Sequence, residues 1–179
     1  KIRRAYNEFE FHRAYHALNE FTNTDLSALY LDVLKDRLYT FAPNHPARRS
    51  AQTALWHIAE VLTRLVAPIL SFTADEVWQA LPKVEGREAS VHLALFLNIN
   101  DLGLTSLRQI EEDWKRLLGI RAIAMKALEE GRNEKLIGKA LEASLEILTA
   151  DLDESSCELL KRYESSLPEL MNVSSVTLK

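Results

Sequence analysis

The chain has 179 residues, 47% of them hydrophobic and 27% charged, which excludes a disordered chain and provides one large or two small domains with enough apolar material for a core. The net charge of −4 argues against nucleic-acid binding over the whole surface, but residues 1–64 carry 9 Lys and Arg against 7 Asp and Glu, while residues 65–179 carry 13 against 19, so a phosphate-contacting face fits the front half. A single cysteine, Cys157, excludes an internal disulfide and a cysteine zinc cluster, and no apolar run reaches the ~18 residues of a membrane helix.

The start at Lys1, without methionine or signal-peptide pattern, lies within a helical pattern and reads as the edge of an excised fragment. Phe9, Tyr15 and Leu18 to Phe21 repeat at helical spacing. "TNTDLS" then predicts a break, with Thr24 or Asp25 capping a helix that runs to Tyr39. "FAPNHPARRS" predicts a turn with Asn44 as cap and Pro46 in the first turn of a helix over 46–66. Its predicted core stripe is Ala51, Ala54, Leu55, Ile58, Leu62 and Leu65, and Pro68 ends it. Thr73 and Glu76 stand at capping-box spacing before a fourth helix, which Pro82 closes. Helices joined by short turns predict an antiparallel bundle over 1–85.

"KVEGREAS" reads as a polar linker, and the grammar then changes. "SVHLALFL" is a strand candidate. A long helix is predicted from about Ser106 to Arg132, followed by a strand in "ASLEILTA", a helix in "DESSCELLKRYESS" and a last strand in "SSVTL". The fold class is therefore mainly α, a bundle followed by a small α/β domain over 86–179.

Most chemical motifs fail on spacing. "GRNEKLIGK" has six residues between its glycines where a P-loop has four, so its glycines are expected to end a helix and turn the chain. His12 and His16 share a helix face but have no third ligand in pattern. No nucleophile motif surrounds any Ser or Cys157, and Asp75–Glu76 reads as helix N-terminal charge. What remains is a cluster in the front half. Asp32, Lys35, Asp36 and Tyr39 share one helix face, with Arg37 projecting elsewhere. On the next helix Arg49, Gln52, Trp56 and Glu60 share another. Arginine suits phosphate, an amide suits a base edge, and an indole suits stacking on an unpaired base. The bland account is local ion pairing and a tryptophan packed against a neighbouring helix.

Four stretches together, "DLSALYLDVLKDRLY", "RRSAQTALWHIAEVLTRLVAPILSFTADEVW", "SVHLALF" and "IRAIAMKALEEGRNEKLIGKALEASLEI", resemble the C-terminal region of bacterial-type isoleucyl-tRNA synthetases over residues 5 to 178. The resemblance implies a class I anticodon-binding bundle followed by a junction domain. It implies a parent enzyme that ligates isoleucine to its tRNA with ATP-Mg, in the cytoplasm, with catalytic and editing domains upstream. This part alone is expected to be inactive. The cysteine zinc module of bacterial relatives is expected to be absent from a chain with only Cys157 that ends at Lys179. The implied tRNA-contacting residues are Arg48, Arg49, Gln52 and Trp56, with Lys35, Arg37 and Tyr39 behind them. Arg37 and Tyr39 are alternatively bundle fasteners, and Asp32 and Asp36 compete for Lys35. Two other readings stay open: a sibling synthetase, foremost the valyl enzyme, and a helical protein-interaction module without RNA binding.

Overall fold

The structure, a computed structural model, describes residues 1–98 and 107–179 and is mainly helical with a small sheet. The chain divides into two compact units, Lys1–Leu104 and Thr105–Lys179.

In the first unit, α1 (Ile2–Asn7) and α2 (Phe11–Glu20) pack on each other and bury Ala5, Ala14 and Leu18. The predicted break at "TNTDLS" does not occur: the chain continues as a π-helix over Phe21–Leu31. The expected caps Thr24 and Asp25 lie inside this helix, and the two residues before them bond backwards. The Thr22 hydroxyl donates to the Leu18 carbonyl at 2.9 Å, and the Asn23 amide donates to Asn19 Oδ1 at 2.9 Å. Such back-bonding keeps the backbone wound while distorting it. The helix expected over 25–39 is thus split, with buried Leu34 leading into α3 (Lys35–Tyr39).

A turn leads to α4 (Pro46–Val66), where Pro46 occupies the first position as expected. The cap is His45 rather than Asn44: its Nδ1 accepts the Ala47 N–H at 3.2 Å. The predicted core stripe of α4 is only partly core. Ala51 is buried, whereas Ala54, Ile58, Leu62 and Leu65 are half-buried and line, with Leu18 and Phe21, an apolar cleft of about 690 Å³.

The closed core of this unit lies at the other end of α4. Ala67, Ala74, Trp78 and Val91 pack together, with Val66 and Ala94 against them. α5 spans Ser71–Ala80, so Thr73 sits inside its first turn and the expected capping box does not form. The helix starts three residues early, with Leu70 at the cap position and the Ser71 hydroxyl bonded back to the Ala67 carbonyl at 3.0 Å.

"SVHLALFL" is not a strand. It forms a 3₁₀ turn at Val91–Leu93 followed by backbone without a strand partner among the described residues. Asp75 explains this. Its Oδ1 accepts the Ser90 hydroxyl at 2.6 Å and the Val91 N–H at 3.2 Å, and the second is a backbone donor that a ladder would use. The Ser90 hydrogen bond, foremost, holds the Asp75 carboxyl below its ordinary range. A carboxyl depressed on folding adds stability above its unfolded pKa, about 3.9, and that contribution is lost as pH falls through the folded value. Protection of the Val91 amide against hydrogen exchange is therefore expected to drop selectively below about pH 4. Val91 protection that follows that of the α5 amides at every pH would count against this anchor.

The second unit is built on α6 (Leu107–Asn133); its expected first residue, Ser106, lies outside the described residues. α6 buries Leu117 and Leu128, α7 (Glu154–Arg162) buries Leu159 and Leu160, and α8 (Leu167–Met171) buries Leu167, Leu170 and Met171. Both expected strands form. β1 (Ser144–Ile147) pairs parallel with β2 (Ser175–Leu178), with Ser144 opposite Ser175. Buried Asp113 ties α6 to α7 by accepting from Arg162 at 3.0 Å and from Gln109 at 2.9 Å. The glycines of "GRNEKLIGK" do not make the turn themselves. α6 runs through Gly131, and Lys135 takes the left-handed conformation at φ 59° while the Leu136 N–H bonds the Gly131 carbonyl.

Candidate nucleic-acid interface

The segment from Asp32 to Glu60 places the candidate residues. α3 packs on the start of α4, and the turn between them is closed from three sides. The Thr40 hydroxyl donates to the Asp36 carbonyl at 2.7 Å. The Phe41 and His45 rings meet edge to face at 4.6 Å between centroids. Arg48 Nη1 donates to the Phe41 carbonyl at 2.7 Å. That bond turns part of the Arg48 guanidinium inward, and its Nε is buried without an acceptor among the described residues. Arg48 thus fixes the turn and keeps a full positive charge at its edge.

Arg49 and Gln52 stand one turn apart on the outer side of α4. Both are exposed, and neither side chain has a partner among the described residues. Trp56, one turn on, is half-buried, with its indole edge-on to the His57 ring at 5.0 Å. The expected fourth member of this face, Glu60, is buried and cannot join a surface. Its carboxylate takes Arg64 at 2.7 Å and Arg87 at 2.9 Å. Thus the face passes from solvent at Arg49 to core at Glu60 over eleven residues, about 16 Å of helix.

The α3 side contributes less. Lys35 is held by Asp32 at 2.6 Å, and that hydrogen bond, with the accompanying charge attraction, raises its pKa. Arg37 is half-buried and acts electrostatically on the Tyr30 hydroxyl, whose pKa is raised above all by burial. Tyr39 is 81% exposed, a free aromatic face at the mouth of the turn. The structure therefore brings Arg48, Arg49, Gln52 and Trp56 onto the start of α4, with Tyr39 ending the helix that packs on it. His45 belongs to the same turn, and only the "NHP" sequence ahead of the helix could have pointed to it.

This arrangement offers cations, a two-sided amide and flat rings, and no proton-transfer constellation. Among the described residues no group of three His, Cys, Asp or Glu side chains could hold a metal ion. Nor is any described helix long and apolar enough to cross a membrane.

Comparison with known proteins places these residues in context. Residues 1–147 match the family described as the anticodon-binding domain of tRNA ligase. Similar proteins include the isoleucine–tRNA ligase of Syntrophotalea carbinolica, 45% identical over 99% of this chain and 19% of the relative. That of Symbiobacterium thermophilum is 42% identical over 99% and 19%, and that of Glaesserella parasuis 46% identical over 84% and 16%. The chain thus spans about a fifth of the length of these relatives.

Proposed function

The chain belongs to the family of anticodon-binding domains of tRNA ligases, and from that premise we propose that it holds the anticodon stem-loop of an isoleucine tRNA. The observation that carries the proposal is the pair Arg49 and Gln52, both exposed and without side-chain partners among the described residues, beside the ordered α3–α4 turn. Unpaired donors on a rigid helix are pre-organised to meet a polyanion with exposed base edges. Arg48 and Arg49 neutralise loop phosphates, Gln52 reads a base edge, and Trp56 and Tyr39 present faces to unstacked bases. Lys35 and Arg37 set the background field.

Isoleucine as the amino acid is supported by the names of the similar proteins given above, each an isoleucine–tRNA ligase at 42–46% identity. The parent then joins isoleucine to tRNA with ATP-Mg at a catalytic domain outside these residues, in the cytoplasm where translation proceeds. The residues described here carry no site for that chemistry, and the 179-residue chain is expected not to aminoacylate. With one cysteine in the sequence, these residues are likewise expected to hold no cysteine zinc module.

The test is a titration of the chain with stem-loops bearing isoleucine, valine and scrambled anticodons at two salt concentrations. Salt-sensitive binding that prefers the isoleucine loop is expected. Preference for the valine loop would reassign the domain to a valyl enzyme. Equal, salt-insensitive or absent binding would remove the RNA reading.

A further inference from the structure

The cleft of the first unit is apolar on both walls. Leu18 and Phe21 line one side, and Ala54, Ile58, Val61 and Leu62 line the other. Contiguous apolar surface of this kind is rare on a monomer unless something covers it. Among the described residues nothing fills its volume of about 690 Å³.

The course of α1 identifies the occupant. The Tyr6 hydroxyl donates to the Leu65 carbonyl at 2.7 Å, and Ile2 lines the cleft with Val61 and Leu65. Stepping back along α1 therefore steps back along α4, where Ile58 and Ala54 come next. On the other wall Lys1 lies beside Ala17, and Leu18, Phe21 and Asp25 lead on the same way. The open part of the cleft is thus the prolongation of α1 past Lys1. It follows α4 from Leu65 to Ala54, about eleven residues or roughly 16 Å of helix. Lys1 makes no side-chain cap, so the first N–H groups of α1 are open to carbonyls of a preceding turn. A separate molecule would have to enter against the start of α1, whereas polypeptide attached there is held at the mouth at high effective concentration.

We infer that the roughly eleven residues immediately ahead of Lys1 in the parent polypeptide continue α1 as a helix and fill this cleft. This rests on the reading of the chain as part of a longer tRNA ligase with its other domains ahead of Lys1, the chain spanning 19% of its relatives' length. Positions about four, seven and eleven residues before Ile2 fall on the side facing the cleft and carry apolar side chains. The position about nine residues before Ile2 faces away.

The test uses the full-length protein without tRNA, carrying Ala54→Cys, Val61→Cys or, at an exposed control position, Thr53→Cys. Alkylation at each site is read by mass spectrometry of its own peptide. Ala54→Cys and Val61→Cys are expected to react about tenfold more slowly than Thr53→Cys, or slower still. A second cysteine placed about seven residues before Ile2 is expected to form a disulfide with Ala54→Cys, and one placed about nine before Ile2 is not. Labelling of both wall positions at the rate of Thr53→Cys would overturn the inference. Shielding that needs tRNA or is lost on dilution would give the cleft to RNA or to a second copy and also overturn it. Shielding without the disulfide would give it to another segment, with the same result. Failure of the stem-loop to bind at α4 would leave all of these readings unchanged.

Discussion

Glu60→Ala is expected to destabilise the first unit by about 3–5 kcal/mol, the cost of breaking a buried ion pair by removing one partner. Glu60 is 5% exposed and is the shared acceptor for Arg64 and Arg87, whose side chains are themselves nearly buried. Without it two guanidiniums face the core with fewer acceptors than charges. Arg64 keeps the Leu95 carbonyl at 2.7 Å, and Arg87 keeps the Pro82 carbonyl at 3.2 Å and the face of Trp78, its carbon 3.7 Å from the ring centroid. Arg64 also has the Glu88 carboxylate at 3.9 Å, so these contacts reduce the loss and replace the charge only in part, leaving Arg87 without a carboxylate. Glu60→Gln preserves shape and one acceptor, and should cost less, about 1–3 kcal/mol. Urea unfolding monitored through the tryptophans reads both, and a loss below about 1 kcal/mol for Glu60→Ala would show that the network is not held against solvent as the geometry indicates.

The same network has a consequence for the RNA-facing side. It fastens the segment after α5 over the far end of α4, through Arg87 on Glu60, the Trp78 indole on the Glu88 carbonyl at 2.9 Å and Gln79 on the Ala89 carbonyl. Glu60 lies on the same side of α4 as Arg49, three turns away. The segment after α5 covers that side at Glu60 and does not cover it at Arg49 and Gln52, which stay exposed. The stability determinant and the proposed binding determinant are two ends of one stripe.

That stripe also marks where sequence reading succeeds and where it stops. The bounds of α4 were legible because Pro46 can start a helix and Pro68 cannot continue one. The strands at 144–147 and 175–178 and the helix before Asn133 followed from periodicity alone. The failures share a cause. Whether Thr24 and Asp25 start a helix or lie inside one that Thr22 keeps wound by bonding back, whether Ser90 starts a strand or binds Asp75, and whether Glu60 faces water or two arginines depends on a partner elsewhere. Spacing places a side chain on a face but does not say what covers that face. The candidate site was legible at Arg49 and Gln52, where nothing covers the helix. At Glu60 it failed because Arg87, 27 residues later, returns to it.

Arg49→Ala and Gln52→Ala are expected to fail differently in stem-loop binding, and the difference identifies their roles. Arg49 has no side-chain partner among the described residues, so its charge is available to phosphate. Its removal should weaken all stem-loops alike, by about 1–2 kcal/mol, and lower the salt slope by roughly 0.7–1. Gln52 carries no charge, so Gln52→Ala should leave the slope intact and cost about 1–3 kcal/mol only for the loop whose base it reads. Lys35→Ala is the control on the α3 side. Asp32 already compensates that ammonium, and its removal leaves a carboxylate in place of a neutral pair. A loss beyond that of Arg49→Ala would move the binding centre to α3. Both α4 substitutions sit on an exposed helix face, so circular dichroism should show an unchanged fold, and any loss of affinity then belongs to the contact. If neither substitution changes affinity, slope or preference, the start of α4 is a scaffold, and the anticodon loop is held by a different face of the bundle.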